Sequence, residues 1–316
     1  MSPDTSRLAG AVRITEVGPR DGLQNEAVSV PTADKIRFVE LLAAAGFPEI
    51  EVTSFVSPRW VPQLADGDEV LPAIARRPGL LRSALVPNRR GLDRALAAGA
   101  GQIAVFTAAS ETFSRRNTNG SIDEVLDRAR EVIVGAASAG LPVRAYVSCA
   151  VACPYEGAVA PSSVRRVVER LLEMGEVEID LGETIGVAAP VDIERLYEGL
   201  DGVLPPGQST LHLHDTRGGA LACAWRAMQL GVASFDASCG GLGGCPYAPG
   251  AAGNLATEDL VYLCARSGIE TGIELDALFA AGRYIAGVVG RSLPGRVFAA
   301  DGAAGSGISA TVCPGS

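Results

Sequence analysis

The sequence predicts an α/β protein folded as a parallel (β/α)8 barrel, a TIM barrel, with extra C-terminal helices. Three observations predict it. At 316 residues the chain is long enough for two ordinary domains or for one large α/β barrel. Apolar runs of β type alternate with helical ones, and eight candidate β-α units can be counted. Reactive polar residues fall where the candidate strands end, which is where such a barrel places its site. A doubly wound open sheet is the competitor. No Gly-x-Gly-x-x-Gly follows the first strand, so its dinucleotide-binding version lacks support.

Taken in order, the strands are expected at Val12–Val17, Glu49–Thr53, Leu81–Val86, Gln102–Thr107, Val143–Cys149, Val177–Leu181, Thr210–His214 and Ser234–Ser238. Between them, apolar residues at three- and four-residue spacing predict helices such as Thr32–Ala45, Ile122–Ala139, Ser162–Met174 and Ala220–Leu230. Pro31 and Pro161 fit helix starts, and Gly46, Gly140 and Gly231 fit helix ends. Thr257–Ser267 and Asp276–Gly290 follow the last strand; the first of these closes the barrel, and the last helices cap it or form a subunit interface. The expected domain organisation is a flexible N-terminus over 1–10, one catalytic domain over 11–300 and a Gly/Ala/Ser-rich flexible tail over 301–316.

Bulk composition narrows the function. Hydrophobic residues make up 47% of the chain, which suits a large buried core. The net charge of −9, with no basic block, argues against a nucleic-acid partner. No apolar run is long enough for a membrane span, and the N-terminus lacks a signal or import pattern, so a cytoplasmic location is expected. Seven cysteines in such a chain should be mostly reduced thiols. Cys149 and Cys153 are read as wall residues near a strand end, since their spacing suits a zinc knuckle poorly.

The chain's two histidines stand in Leu211-His212-Leu213-His214-Asp215. On a strand, residues two apart point to the same face, so both imidazoles converge on one small volume. Two imidazoles alone make no metal site, and the rest of the chain must supply further ligands. Asp21 and Arg20 follow the first strand, and Glu51 lies inside an apolar one, where it needs a partner such as Arg20. A glycine-rich loop, Gly240-Gly-Leu-Gly-Gly-Cys-Pro-Tyr-Ala248, carries Cys245 at its tip, a plausible lid-borne proton donor. Asn254 reads as a helix cap on its own.

Six segments together resemble the 3-hydroxy-3-methylglutaryl-CoA (HMG-CoA) lyase family: EVGPRDGLQNE, IEVTSFVSPRWVPQ, VSCAVACPYEG, LGETIGV, LHLHDT and GLGGCPYAPGAAGNLATEDLVY. They run from Glu16 to Tyr262 in the family's order and spacing, and the cysteine loop is the most specific of them. The resemblance implies Mg2+ or Mn2+ held by Asp21, His212, His214 and Asn254. It implies a retro-Claisen cleavage of an acyl-CoA substrate in which Arg20 stabilises an enolate and Cys245 protonates it. Glu51 would orient Arg20, while Asp21, His212 and Cys245 all stay open as the base. Gln24, Ser54, Arg144, Tyr146, Glu183 and Thr184 match pocket positions expected to contact substrate. Arg59 and Pro87-Asn88-Arg89-Arg90 are candidates for the coenzyme A phosphates. The resemblance also implies a homodimer, in which Cys313 is a candidate for an intersubunit disulfide.

Five residues depart from the family's pattern: Ala27, Glu183, Arg217, Gly219 and Cys223. They are expected to cluster near the substrate end, with Arg217 pairing with a different terminal carboxylate. Citramalyl-CoA and longer 3-alkyl homologues are therefore the alternative substrates. A condensing synthase and a non-catalytic homologue are the more distant readings.

Overall fold

The computed structural model describes residues 10–244 and 253–304. Eight strands form the frame: β1 (Arg13–Glu16), β2 (Glu49–Ser54), β3 (Leu81–Leu85), β4 (Gln102–Ala108), β5 (Val143–Ser148), β6 (Glu178–Glu183), β7 (Ser209–Leu213) and β8 (Ser234–Ala237). Each pairs in parallel with the next, and β1 pairs with both β2 and β8, so the sheet closes into a barrel. The expected TIM barrel is the observed fold.

Strand alternation sorts the side chains into two environments. Ile14, Ile50, Ile103, Val105, Ala145, Val147, Ile179, Leu181, Leu211, Leu213 and Phe235 belong to one buried apolar cluster that extends into the surrounding helices. The alternate positions face the lumen. They are mostly polar on β1, β2, β5, β6, β7 and β8, while Leu85 on β3 and Ala104 and Phe106 on β4 form a small apolar cluster with Tyr146. Arg144 on β5 reaches Thr15 on β1, Glu49 on β2, Glu178 on β6 and Asp236 on β8, at 3.0–3.1 Å. TIM barrels commonly fill this space with branched aliphatic residues. Here charge fills its lower part, and the main apolar core lies outside the strands.

The helices of the outer layer are α1 (Thr32–Ala44), α2 (Gly67–Ala73), α3 (Arg89–Ala97), α4 (Glu111–Thr118), α5 (Ile122–Ser138), α6 (Pro161–Leu172), α7 (Pro190–Gly199) and α8 (Ala220–Leu230). Pro161 opens α6 at its first turn, and Gly231 ends α8 in a left-handed conformation, φ 103°, as the sequence predicts. After β8 come α9 (Thr257–Arg266), α10 (Leu275–Val289) and α11 (Arg296–Ala304). The last helix runs past residue 300, so the chain is still regular where the sequence predicts the start of a flexible tail.

Two features near the strand ends differ from the expected pattern. Strand β1 stops at Glu16 because the N–H groups of Arg20, Asp21 and Gly22 all turn back onto the Val17 carbonyl, at 2.7–3.2 Å. Beyond β5, Ala152–Cys153 and Gly157–Ala158 pair as a small antiparallel hairpin. Among the described residues, no helix is long and apolar enough to cross a membrane.

Candidate active site

A cavity of about 690 Å³ opens at the C-terminal ends of the barrel strands. Arg20, Asp21, Gln24, Tyr146, Thr184, His212 and His214 all line it. The backbone turn onto Val17 swings Arg20 and Asp21 over the lumen, while β7 delivers both histidines on one face. Their ring centroids lie 5.2 Å apart.

Ligand atoms of Asp21, His212 and His214 lie within 4.8 Å of one another. Asn254 joins them through an isolated bridge to His214 and a 2.9 Å hydrogen bond from its Nδ2 to Asp21 Oδ2. A second donation to the Leu242 carbonyl, at 3.2 Å, fixes the amide. Its Oδ1 is then buried with no hydrogen-bond partner among the described residues, as is His214 Nδ1. Buried polar atoms are rarely left so, because each costs about 1–3 kcal/mol of lost hydration. Two imidazoles, a carboxylate and an amide oxygen suit Mg2+ or Mn2+, with no thiolate in the set to favour zinc. The donors present fit the cation that the resemblance implies.

Electrostatics agrees. His212 Nδ1 meets Asp236 Oδ2 at 3.2 Å. Burial lowers this imidazole's pKa, but the bond to Asp236 and the charges of Asp236 and Asp21 outweigh it, which makes Nε2 a more basic donor to a cation. Burial pushes His214 down to about 4, with His212 beside it adding to the shift, so this imidazole is neutral and able to ligate at neutral pH. Burial alone would raise the Asp21 carboxyl. Arg20, the two histidines and the Asn254 amide outweigh it and hold Asp21 well below the usual carboxylate range.

Arg20 is clamped beside these ligands. Its Nε donates to Glu51 Oε2 and its Nη1 to Asp21 Oδ1, both at 2.5 Å. Tyr146 donates to the same Glu51 oxygen at 3.3 Å, and the guanidinium lies 5.5 Å from the Tyr146 ring centroid. Glu51 stands behind Arg20 rather than on the cavity wall, as expected of a residue that orients it.

Comparison with known proteins decides the family. The profile of the HMGL-like family matches residues 11–285. The chain belongs to the HMGL-like family. It is 49% identical over 297 residues to the rat protein named 3-hydroxy-3-methylglutaryl-CoA lyase, cytoplasmic, covering 93% of this chain and 87% of the relative. A crystal structure of hydroxymethylglutaryl-CoA lyase from Pseudomonas aeruginosa superposes with a TM-score of 0.92 at 47% identity, covering 94% of this chain and 99% of that one. An HMG-CoA lyase from Acinetobacter baumannii, solved with coenzyme A and 3-methylmalate, matches at TM-score 0.88 and 36% identity, covering 97% and 98%.

Within this HMGL-like site some expected residues are elsewhere. Arg144 is 1% exposed in the charged network beneath Tyr146 and does not reach the cavity. Ser54 is buried off the wall, its hydroxyl accepting from Val56 N at 3.1 Å. Glu183 is out of phase with the lumen-facing positions; its carboxylate caps the following loop by accepting from Val187 N at 3.1 Å. Arg217 donates to the carbonyls of Ile185 and Gly186. None of Ala27, Glu183, Arg217, Gly219 and Cys223 lines the cavity; four of them, Glu183, Arg217, Gly219 and Cys223, instead gather around the loop over 185–188 that follows β6. Arg59, Arg89 and Arg90 are also off the wall, although Pro87 and Asn88 are on it. Cys245 and Cys313 lie outside the described residues.

The structure adds residues that sequence reasoning missed. Arg116, Asn117, Asn119 and Arg128 line the outer cavity, with Arg116 stacked 4.3 Å from the Tyr155 ring centroid. Most of them follow β4, so the strand-end rule could have found them there. Asp236, the partner of His212, was hidden inside an apolar run.

Proposed function

We propose that this cavity cleaves 3-hydroxy-3-methylglutaryl-CoA to acetyl-CoA and acetoacetate. One observation carries the reading: an Asp-His-His-Asn set with unpartnered acceptor atoms lies directly beside a clamped Arg20. A divalent cation held by Asp21, His212, His214 and Asn254 supplies Lewis acidity, which makes the substrate's tertiary hydroxyl easier to deprotonate. Once a base takes that proton, with Asp21, His212 and Cys245 as its candidates, the hydroxyl carbon becomes the ketone of acetoacetate. The bond to the carbon beside the thioester breaks, and its electron pair passes into an enolate of acetyl-CoA.

Arg20 stabilises the enolate oxygen. Its Nε and Nη1 are held by Glu51 and Asp21, so the guanidinium plane is set before substrate arrives. Cys245 is assigned the proton that the enolate carbon takes up. It directly follows Gly244 in the sequence, and Gly244 lines the cavity. Gln24, whose buried Oε1 has no partner among the described residues, Tyr146 and Thr184 are assigned to the acyl group. Arg116 and Arg128 are assigned to the coenzyme A phosphates. A homodimer is expected, with sedimentation velocity as its check.

The test is acetyl-CoA release from HMG-CoA with Mg2+ or Mn2+, with and without chelator, beside Cys245→Ala. Release that needs metal and falls about 10²–10⁴-fold in the variant supports the reading. No release from HMG-CoA by metal-loaded protein would overturn it and turn attention to citramalyl-CoA.

A further inference from the structure

We propose that Glu16 is a positioning residue: its one buried carboxylate holds the Asp21 turn and the Asn254 segment in the register that lets both reach the same cation. The proposal rests on the metal-site reading above.

Glu16 ends β1 and is 0% exposed. Its Oε1 accepts from the N–H groups of Gly18 and Cys239, each at 2.8 Å, and its Oε2 accepts from Thr257 Oγ1 at 2.8 Å. The three donors open three different segments. Gly18 begins the turn that presents Arg20 and Asp21. Cys239 begins the turn after β8 that leads to Gly244 on the cavity wall. Thr257 starts α9, three residues after Asn254. Cys239 and Thr257 are 223 and 241 positions from Glu16 in the chain, so no local geometry brings them together.

The contacts close into a ring. From Glu16 it passes through Gly18 to Asp21, across the 2.9 Å bond to Asn254, along the backbone to Thr257 and back to Glu16. Ser238 braces it from inside, with its hydroxyl donating to the Leu242 carbonyl that also receives Asn254 Nδ2. The approach at Gly18 is too close for any side chain: a Cβ there would lie 2.6 Å from Glu16 Oε1. A buried carboxyl that merely needed satisfaction could take its donors from one loop. Glu16 takes them from both segments that carry the oxygen donors of the ligand set.

Mn2+ binding to purified full-length protein, followed by the EPR signal of free Mn2+, tests this beside the Tm of the metal-free protein. Glu16→Ala removes all three contacts and is expected to weaken binding at least tenfold. Glu16→Gln keeps the reach of Oε1 and can donate to Thr257, so it should bind within threefold of wild type. Thr257→Val opens the ring at one point and should weaken binding several-fold, while Thr257→Ser restores it, with both Tm values within a few degrees. If Glu16→Ala does not fold, the Thr257 pair decides. Wild-type affinity in Thr257→Val would overturn the proposal. Wild-type protein that binds no Mn2+ would overturn the metal reading along with it.

Discussion

Two arginines stand in the barrel lumen among carboxylates, one above the other, and their surroundings are completed by different means. Arg144, in the lower layer, bonds Asp236, Glu49, Glu178 and Thr15. Nearby, both oxygens of Asp180 lack a hydrogen-bond partner among the described residues. Burial pushes that carboxyl well above the usual range, and the Asp236 charge pushes it further, which favours a proton held between the two acids. Arg20, in the upper layer, is clamped by Asp21 and by Glu51, whose second oxygen also lacks a partner among the described residues; further unpartnered atoms beside it belong to an amide and to an imidazole held near 4. Neither can be satisfied by taking up a proton at neutral pH. A buried carboxyl beside another acid can answer its missing partner with a proton, whereas an amide oxygen beside a neutral histidine needs a ligand. The lower layer is a structural network off the cavity wall, although Arg144 Nε and one Glu49 oxygen also lack partners among the described residues, and the upper one lines the cavity and is built to bind.

The sharpest way to break this contrast is His214→Ala. It should reduce metal-dependent cleavage by about 10³-fold or more, above the 10–100-fold typical of changes behind the ligands, and weaken Mn2+ binding in parallel. Retained Mn2+ affinity would remove the upper layer's distinction. Next comes Arg144→Met, which leaves Glu49 and Asp236 buried without their cation. Denaturant unfolding should show a loss of about 3–5 kcal/mol. If Mn2+ affinity of the folded fraction changes less than threefold, the two layers are separate; a tenfold loss would show that they act as one through Asp236 and His212.

A smaller effect follows from two buried acids near the β8 turn. Burial raises Glu16 to about 7 and Glu258 to about 8, against an ordinary 4.5, despite the backbone N–H groups that each accepts. The folded chain therefore binds more protons than the unfolded chain between pH 4.5 and 8. Their contribution to stability is complete below 4.5 and is lost as pH rises through 7 and 8. Metal-free protein should be more stable at pH 6 than at pH 8 by roughly 2–4 kcal/mol in urea titrations, with a shallower slope in Glu16→Gln. The smallest effect belongs to Arg217→Tyr. This side chain only braces two loop carbonyls, so stability should move within about 0.5–1 kcal/mol and the preference among acyl-CoA substrates should hold. A changed substrate preference would return Arg217 to the site.

Much of this site could be read from residue order because its parts lie at strand ends. The histidine pair, Arg20, Asp21 and Glu51 sit where alternation and the barrel rule place them. Height along a strand was not legible. Arg144, Tyr146 and Ser148 share one face, yet each step of two residues rises about 6.6 Å, so Tyr146 and Ser148 reach the cavity and Arg144 stays below it. Phase misled in the other direction at Glu183, which neighbours the wall residues Gly182 and Thr184 but points outward to cap a loop. Asn254 shows a different limit. Its sequence context marks a helix start, and only the fold brings it against Asp21 across more than two hundred positions.

The ligands also straddle the place where the barrel is sewn shut. Asp21 follows the first strand, and Asn254 follows the last, which pairs with the first. A cation shared between them would therefore be a clasp on that seam as well as a Lewis acid. Saturating metal at a hundred times its Kd would add about 2.7 kcal/mol to the closed barrel. A nascent chain cannot assemble this ligand set until its final strand has docked and Asn254 has followed it, so metal binding would report that the barrel has closed.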